Sequence, residues 1–146
     1  MATVSTYLNF PRNTEEAFNF YRSVFGTEFH GPVFRFEGIP PQEGMPPIAE
    51  SDKNLVMHIA LPILGGHMLM GTDAPESMGF TVNKGNNVYI SLHPNSKKDA
   101  DDLFNKLSAG GEVEMPMADQ FWGDYFGSFK DKFGIGWMIN YNEQNK

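Results

Sequence analysis

Cysteine is missing from this chain of 146 residues. That one absence removes thiol nucleophiles, disulfides and cysteine-ligated zinc together, and it is compatible with a reducing compartment. Basic residues are scarce as well: 11 Lys and Arg stand against 18 Asp and Glu, for a formal charge of −7. Nucleic acids and anionic membranes are bound through a positive field that displaces counterions, so both partner classes are disfavoured. No apolar run approaches the roughly 18 residues of a membrane span, and residues 1–7 lack a basic region followed by an apolar core. The expectation is a soluble, cytoplasmic protein. Nor is there a Ser-His-Asp order, a glycine-rich phosphate loop or a paired-carboxylate motif.

What the chain does have is aromatic and thioether bulk, with 13 Phe and 9 Met. Such side chains suit an adaptable interior that includes an apolar pocket. Both tryptophans, Trp122 and Trp137, fall in the segment 119–141, where large rings alternate with glycines. Rings beside glycines mark a wall to which another backbone or a ligand comes close. The length fits one domain that buries about two-thirds of its unfolded surface.

Residues 3–10 alternate and are β-branched or aromatic, which predicts a strand. Asn13, with Glu16 three positions on, predicts a capped helix whose Ala17, Phe18, Tyr21, Val24 and Phe25 share a face and which Gly26 stops. Residues 28–36 return to strand character. Residues 37–54 form a long loop whose Pro40, Pro41, Pro46 and Pro47 suggest an ordered flap over an edge or pocket. Strands at 55–61 and 67–72 enclose a hairpin at 62–66, and 73–86 reads as a linker. The order then repeats. A strand at 87–92 precedes a helix capped by Ser96 with Asp99, buried through Ala100, Leu103, Phe104 and Leu107 and ended by Gly110 and Gly111. Strands follow at 112–115, 125–130 and 137–141, the last two around a turn at Phe133 and Gly134. The repeat, offset by about 80 residues, predicts an α+β fold of two tandem βαβββ half-modules, about 1–73 and 87–146, joined by a linker at about 74–86. Each helix covers one face of its own antiparallel sheet, and two such sheets can curl into an open cleft.

The chain resembles the vicinal oxygen chelate (glyoxalase, bleomycin-resistance, extradiol dioxygenase) superfamily, and within it the PhnB-like group, also labelled 3-demethylubiquinone 3-methyltransferase-like. The match is carried by Tyr7 to Phe10, Glu16 to Tyr21, Val24 to Gly26, the hairpin from Met57 and His58 to Met68 and Met70, Phe121 to Gly123, Phe126 and Gly127, and Asp131 to Gly134 with Trp137. The resemblance implies a single glyoxalase-like domain, a homodimer and a small-molecule ligand. It also implies four strand positions at which metal-using relatives place His or Glu, and these fall near Thr6, Met70, Asn87 and Met138. None of the four is a strong ligand for a divalent cation, so the usual metal site is expected to be absent. No glycine-rich nucleotide-binding turn follows a strand, which leaves the methyltransferase label without support.

His58, mid-strand and part of the group pattern, is the candidate catalytic or anchoring residue, since a neutral imidazole serves as a general base. Met70, Asp73, Tyr89, Trp122, Asp124 and Trp137 join it as candidate ligand-binding residues: Asp73 and Asp124 at strand–loop junctions, Tyr89 beside the position near Asn87, and the tryptophans as cleft walls. Two functions stay open at this level. One is a binding protein with an apolar aromatic cleft and no metal. The other is a metal-dependent glyoxalase- or dioxygenase-type enzyme with non-standard ligands such as His58, His67 and Asp73.

Overall fold

The computed structural model describes residues 1–40, 43–44 and 47–143. The proline flap expected at 37–54 falls in part on Pro41 and Pro46, which lie outside the described residues. Two compact units divide the chain, Met1–Asn83 and Lys84–Lys146, and among the described residues each has one α-helix and one four-stranded sheet.

In the first unit, β1 (Thr6–Phe10) leads into α1 (Thr14–Phe25), and a meander of β2 (Phe34–Arg35), β3 (Val56–Pro62) and β4 (Met68–Asp73) completes the sheet in the order β1-β4-β3-β2. Helix α1 begins with Glu15 and Glu16 and has Arg22 in its last turn, charges that suit the helix dipole. It ends at Gly26, whose φ of 66° is the left-handed conformation that glycine adopts freely. Ala17, Phe18 and Tyr21 are fully buried against the sheet. Asn13 occupies the N-cap position, but its side chain makes no capping bond. The first turn is held instead by Asp73 at the end of β4, whose Oδ1 accepts the Thr14 N–H at 3.0 Å while Oδ2 accepts the Val56 N–H at 2.8 Å.

The second unit repeats the plan with β5 (Ile90–Leu92), α2 (Lys97–Ser108), β6 (Glu112–Asp119), β7 (Tyr125–Lys130) and β8 (Gly136–Tyr141) in the order β5-β8-β7-β6. Here the expected cap is made, Ser96 Oγ accepting the Asp99 N–H at 3.0 Å. Ala100, Phe104 and Leu107 face the core as the helical spacing predicts. The β7–β8 turn is held by Asp131, which is 3 % exposed: Oδ1 accepts the N–H of Phe133 and of Ile135, and Oδ2 accepts Trp137 Nε1–H at 2.8 Å.

The α+β class and the two βαβββ modules are as the sequence predicts, with three differences of detail. First, each sheet is mixed, because β1 pairs with β4 and β5 with β8 in parallel. The helical crossover carries the chain to the far edge, and a three-strand meander returns it alongside its start in the same direction. Second, the strand expected at 28–36 shrinks to Phe34–Arg35 and the one at 87–92 to Ile90–Leu92. Third, β6 runs on to Asp119 through Pro116, with register shifts between Val113 and Met115 and between Met115 and Ala118. An edge strand tolerates a proline because its outward side needs no N–H donor. Among the described residues no helix is long and apolar enough to cross a membrane.

Candidate functional site

Alternation along the strands gives each sheet a covered face under its helix and a second face turned away from it. In the first unit Leu69, Gly71 and Asp73 of β4 are buried, while Met68, Met70 and Thr72 between them are half-buried. The register sets Tyr7 beside Met70, Met70 beside Ala60 and His58 beside Phe34. The uncovered face therefore gathers Tyr7, Met70, Thr72, His58 and Phe34. Tyr7 and Phe34 are 50 % and 49 % exposed. The His58 ring lies between them, with centroids 5.9 Å from Tyr7 and 6.5 Å from Phe34. The Tyr7 hydroxyl and His58 Nδ1 share a hydrogen bond of 3.3 Å. Partial burial raises the Tyr7 phenol above its ordinary value, and a hydrogen bond with Thr72 offsets part of that rise. Chemically this is an imidazole and a phenol with a thioether and an aromatic edge beside them: one polar anchor on an apolar floor.

His67 and Asp73 are not part of that face. His67 Nε2 pairs with Thr6 Oγ1 at 2.8 Å, and Thr6 and Tyr7 are consecutive on β1, so the two imidazoles bond to opposite sides of the sheet. Asp73 is buried and both its oxygens are taken by the backbone N–H groups of Thr14 and Val56. Among the described residues no three His, Asp or Glu side chains are grouped to hold a metal ion. The same register corrects two of the positions inherited from the resemblance. Thr6 points to the covered face, and the uncovered-face partner of Met70 is Tyr7. Asn87 precedes β5, and the residue beside Met138 is Ser91. A phenol with a thioether in one unit and a hydroxyl with a thioether in the other do not fit a divalent cation, which favours imidazole and carboxylate.

In the second unit the uncovered face holds Ser91, His93, Met138, Asn140 and Phe126, with Ser91 Oγ and His93 Nε2 3.3 Å apart. Asp124 sits at its end, accepting Trp122 Nε1–H at 3.1 Å and the Asn142 carboxamide. The Asn142 bond is the chief reason its carboxyl lies below the ordinary range, with Trp122, Asn140 and the charge of His93 adding to it. Trp122 is half-exposed and stacks edge-on with Phe121, their centroids 5.0 Å apart. Trp137 is different: it is fully buried on the covered face beside Phe129 and belongs to the core. Tyr89 lies over Gly136, and its hydroxyl donates to Glu114 Oε1 and Oε2 at 2.8 and 2.9 Å. Its hydroxyl is therefore already engaged within the unit.

Sequence reasoning missed Phe34, the Ser91–His93 pair and the roles of Asp52 and Asp131. The His93 signal was legible: a serine and a histidine two apart on a strand share a face. Asp52 lay inside the proline-bearing loop, where no periodicity marks a buried carboxylate. It is 1 % exposed and bonded to Arg12 at 2.8 Å and to the Ser77 hydroxyl.

Comparison with known proteins agrees with this architecture. The Glyoxalase/Bleomycin resistance protein/Dioxygenase superfamily matches residues 6–139. Protein YjdN of Escherichia coli (strain K12) is 27 % identical over 150 residues, which cover 97 % of this chain and 96 % of that one. Among solved structures, protein PA1353 of Pseudomonas aeruginosa superposes with a TM-score of 0.82 at 32 % identity, covering 97 % of this chain and 98 % of its own. The PhnB protein of Bacillus cereus, provisionally labelled a 3-demethylubiquinone-9 3-methyltransferase, gives 0.72 at 25 % identity, covering 96 % and 99 %. With a family match across nearly its whole length and a two-module fold shared with these relatives, the chain belongs to the glyoxalase, bleomycin resistance protein and dioxygenase superfamily.

Proposed function

We propose that this protein is a PhnB-like small-molecule-binding protein that holds its ligand on the uncovered, aromatic face of the first sheet and does so without the divalent metal of metal-using relatives. The observation that carries the reading is the His58 imidazole, hydrogen-bonded to the Tyr7 hydroxyl and set between two half-exposed rings. Exposed aromatic surface of this kind is costly to leave in water and marks a binding surface. The ligand is a compact, largely apolar molecule with one polar group for the Tyr7–His58 pair. Met70 supplies an adaptable wall. The working form is a cytoplasmic homodimer, in keeping with the family resemblance and the surplus of Phe and Met.

A thermal-shift screen of small aromatic and heterocyclic compounds, with divalent metals as a second panel, tests the proposal, because a ligand that prefers the native state raises apparent stability. A hit should lose at least tenfold in affinity in His58→Ala and Tyr7→Phe while protein dialysed against chelator keeps full affinity. Elemental analysis is the counter-test. Stoichiometric zinc, nickel, manganese or iron that survives dialysis and disappears in His58→Ala would replace this reading with the metal-dependent enzyme. Light scattering at micromolar concentration checks the dimer.

A further inference from the structure

The second unit has a recess of about 790 Å3, and by alternation along β7 its Lys130 shares the uncovered face with Phe126. It lies between the β7–β8 turn, the segment after α2 and the segment before β5, and Lys84, Lys130 and Lys132 line it. Three lysines around one recess stand out in a chain of net charge −7. Lys53, Lys97 and Lys98, by contrast, are each 2.9 Å from a carboxylate, that of Glu50, Asp119 and Asp102. Among the described residues Lys84 and Lys130 have no such ion pair.

Their positions are nonetheless fixed. The Lys84 stem crosses Gly134 so closely that a Cβ there would lie 2.9 Å from its Cδ. Lys130 Nζ donates to the Gly85 carbonyl oxygen and sits 5.2 Å from the centre of the Tyr89 ring. The lining also has three acidic residues, Glu112, Glu114 and Asp131. Both oxygens of Asp131 point inward to Phe133, Ile135 and Trp137, and Glu114 is held by the Tyr89 hydroxyl. Glu112 remains at the rim on the exposed edge strand. The exposed Asn86 adds a carboxamide next to Lys84.

We propose that this recess is a binding site for a small dianion, a phosphate ester or a dicarboxylate, with Lys84 and Lys130 as its main contacts and Asn86 as an amide donor. Lys130 exchanges a neutral carbonyl for a charged acceptor when the ligand enters, which adds ion pairing to a hydrogen bond its ammonium already makes. Every residue of the recess belongs to the second unit and none is used in the proposed function, so the two proposals are tested separately.

Calorimetric titration of the full chain with inorganic phosphate and, separately, with succinate, each against sodium chloride of equal ionic strength, is the test. Saturable binding of phosphate selects the ester class and binding of succinate selects the dicarboxylate class. Affinity should fall at least tenfold in the Lys84→Met, Lys130→Met double variant and survive in Lys84→Arg and in His58→Ala. Methionine keeps the packed stems. Should the double variant melt early in chloride, Asn86→Asp, at an exposed position, should produce the same tenfold loss. Absence of binding beyond chloride, or equal affinity in the folded Met and Asp variants, overturns the site.

Discussion

The two modules share strand order and helix placement yet lock themselves in different places. In the first, the buried carboxylate of Asp73 closes the bottom of the sheet, joining the start of α1 to β3. In the second, the helix is capped by its own Ser96 and the buried carboxylate moves to the β7–β8 turn, where Asp131 gathers two amides and an indole. A second inversion lies under the helices. The cross-strand pair Ile59 and Gly71 of the first module recurs as Gly127 and Ile139 in the second, with the glycine on the other strand. A helix phenylalanine reaches into the space of each missing side chain. A Cβ on Gly71 would lie 2.6 Å from Phe18, and one on Gly127 2.8 Å from Phe104 and 2.7 Å from Met117 Sδ. The topology is therefore held while the residues that enforce it are redistributed. The uncovered faces diverge too, His58 with Tyr7 and Phe34 on one and His93 with Ser91 on the other.

Removing each lock tests how far this division goes. Asp131→Ala should have the largest effect, about 4 kcal/mol, since three donors lose a charged acceptor and two of them are buried. Urea unfolding followed by tryptophan fluorescence reads it through Trp137. Asp73→Ala should cost about 3 kcal/mol for its two amides, and the first module should lose amide-exchange protection before the second. A larger loss in Asp73→Ala would reverse the ranking of the two locks. Gly71→Ala and Gly127→Ala should each cost about 1–3 kcal/mol by overpacking, the first against the Phe18 ring and the second against Met117 and the Phe104 ring. Phe18→Leu should rescue the first and leave the second unrelieved.

The helix starts give a smaller contrast. Ser96→Ala should cost about 1 kcal/mol, whereas Asn13→Ala should be nearly neutral because the Asn13 side chain makes no capping bond. Equal losses would mean that the first helix start depends on Asn13 after all.

The finest test is pH. In the first module the Ser77 hydroxyl, then the Arg12 guanidinium, hold the Asp52 carboxyl below the usual carboxylate range. A depressed carboxyl stabilises the fold above its unfolded value near pH 4 and loses that contribution as pH falls through the folded one. Ser77→Ala should flatten this acid limb. In the second module the Asp101 carboxylate accepts the Tyr125 O–H at 2.6 Å and, with burial, pushes that phenol up to about 12. A raised phenol stabilises fully below its unfolded value near pH 10 and loses that contribution as pH rises through the folded one. Tyr125→Phe should flatten the alkaline limb of a urea-midpoint profile, and phenolate absorbance checks the titration directly.

Periodicity made the modules legible. The alternation of Val56 to Met70 and the helical stripes of Ala17 to Phe25 and Ala100 to Leu107 are local patterns that burial then fixes. What stayed hidden depends on residues far apart in sequence. Asp73 reads as a strand-end turn residue, and nothing local says that it caps a helix that starts 59 positions earlier. Trp137 and Trp122 look alike as large rings beside glycines, yet pairing with Phe129 puts the first in the core, while Trp122 stands half-exposed before β7. For the site, alternation tells which residues of its own strand share a face with His58. It could not place Phe34, because the single stretch at 28–36 contracts to two residues and its register with β3 is set only in three dimensions.

The reversed Ile–Gly pair also limits how such a chain can recombine. A crossover inside a module, giving the second sheet the helix of the first, would bring Phe18 to a strand position where isoleucine has replaced the glycine it needs. A crossover between Asn83 and Lys84, at the boundary of the two units, leaves each ring with its own glycine. Shuffled or duplicated descendants of this chain should therefore be viable when whole modules are exchanged and defective when helices alone are, whatever their overall identity.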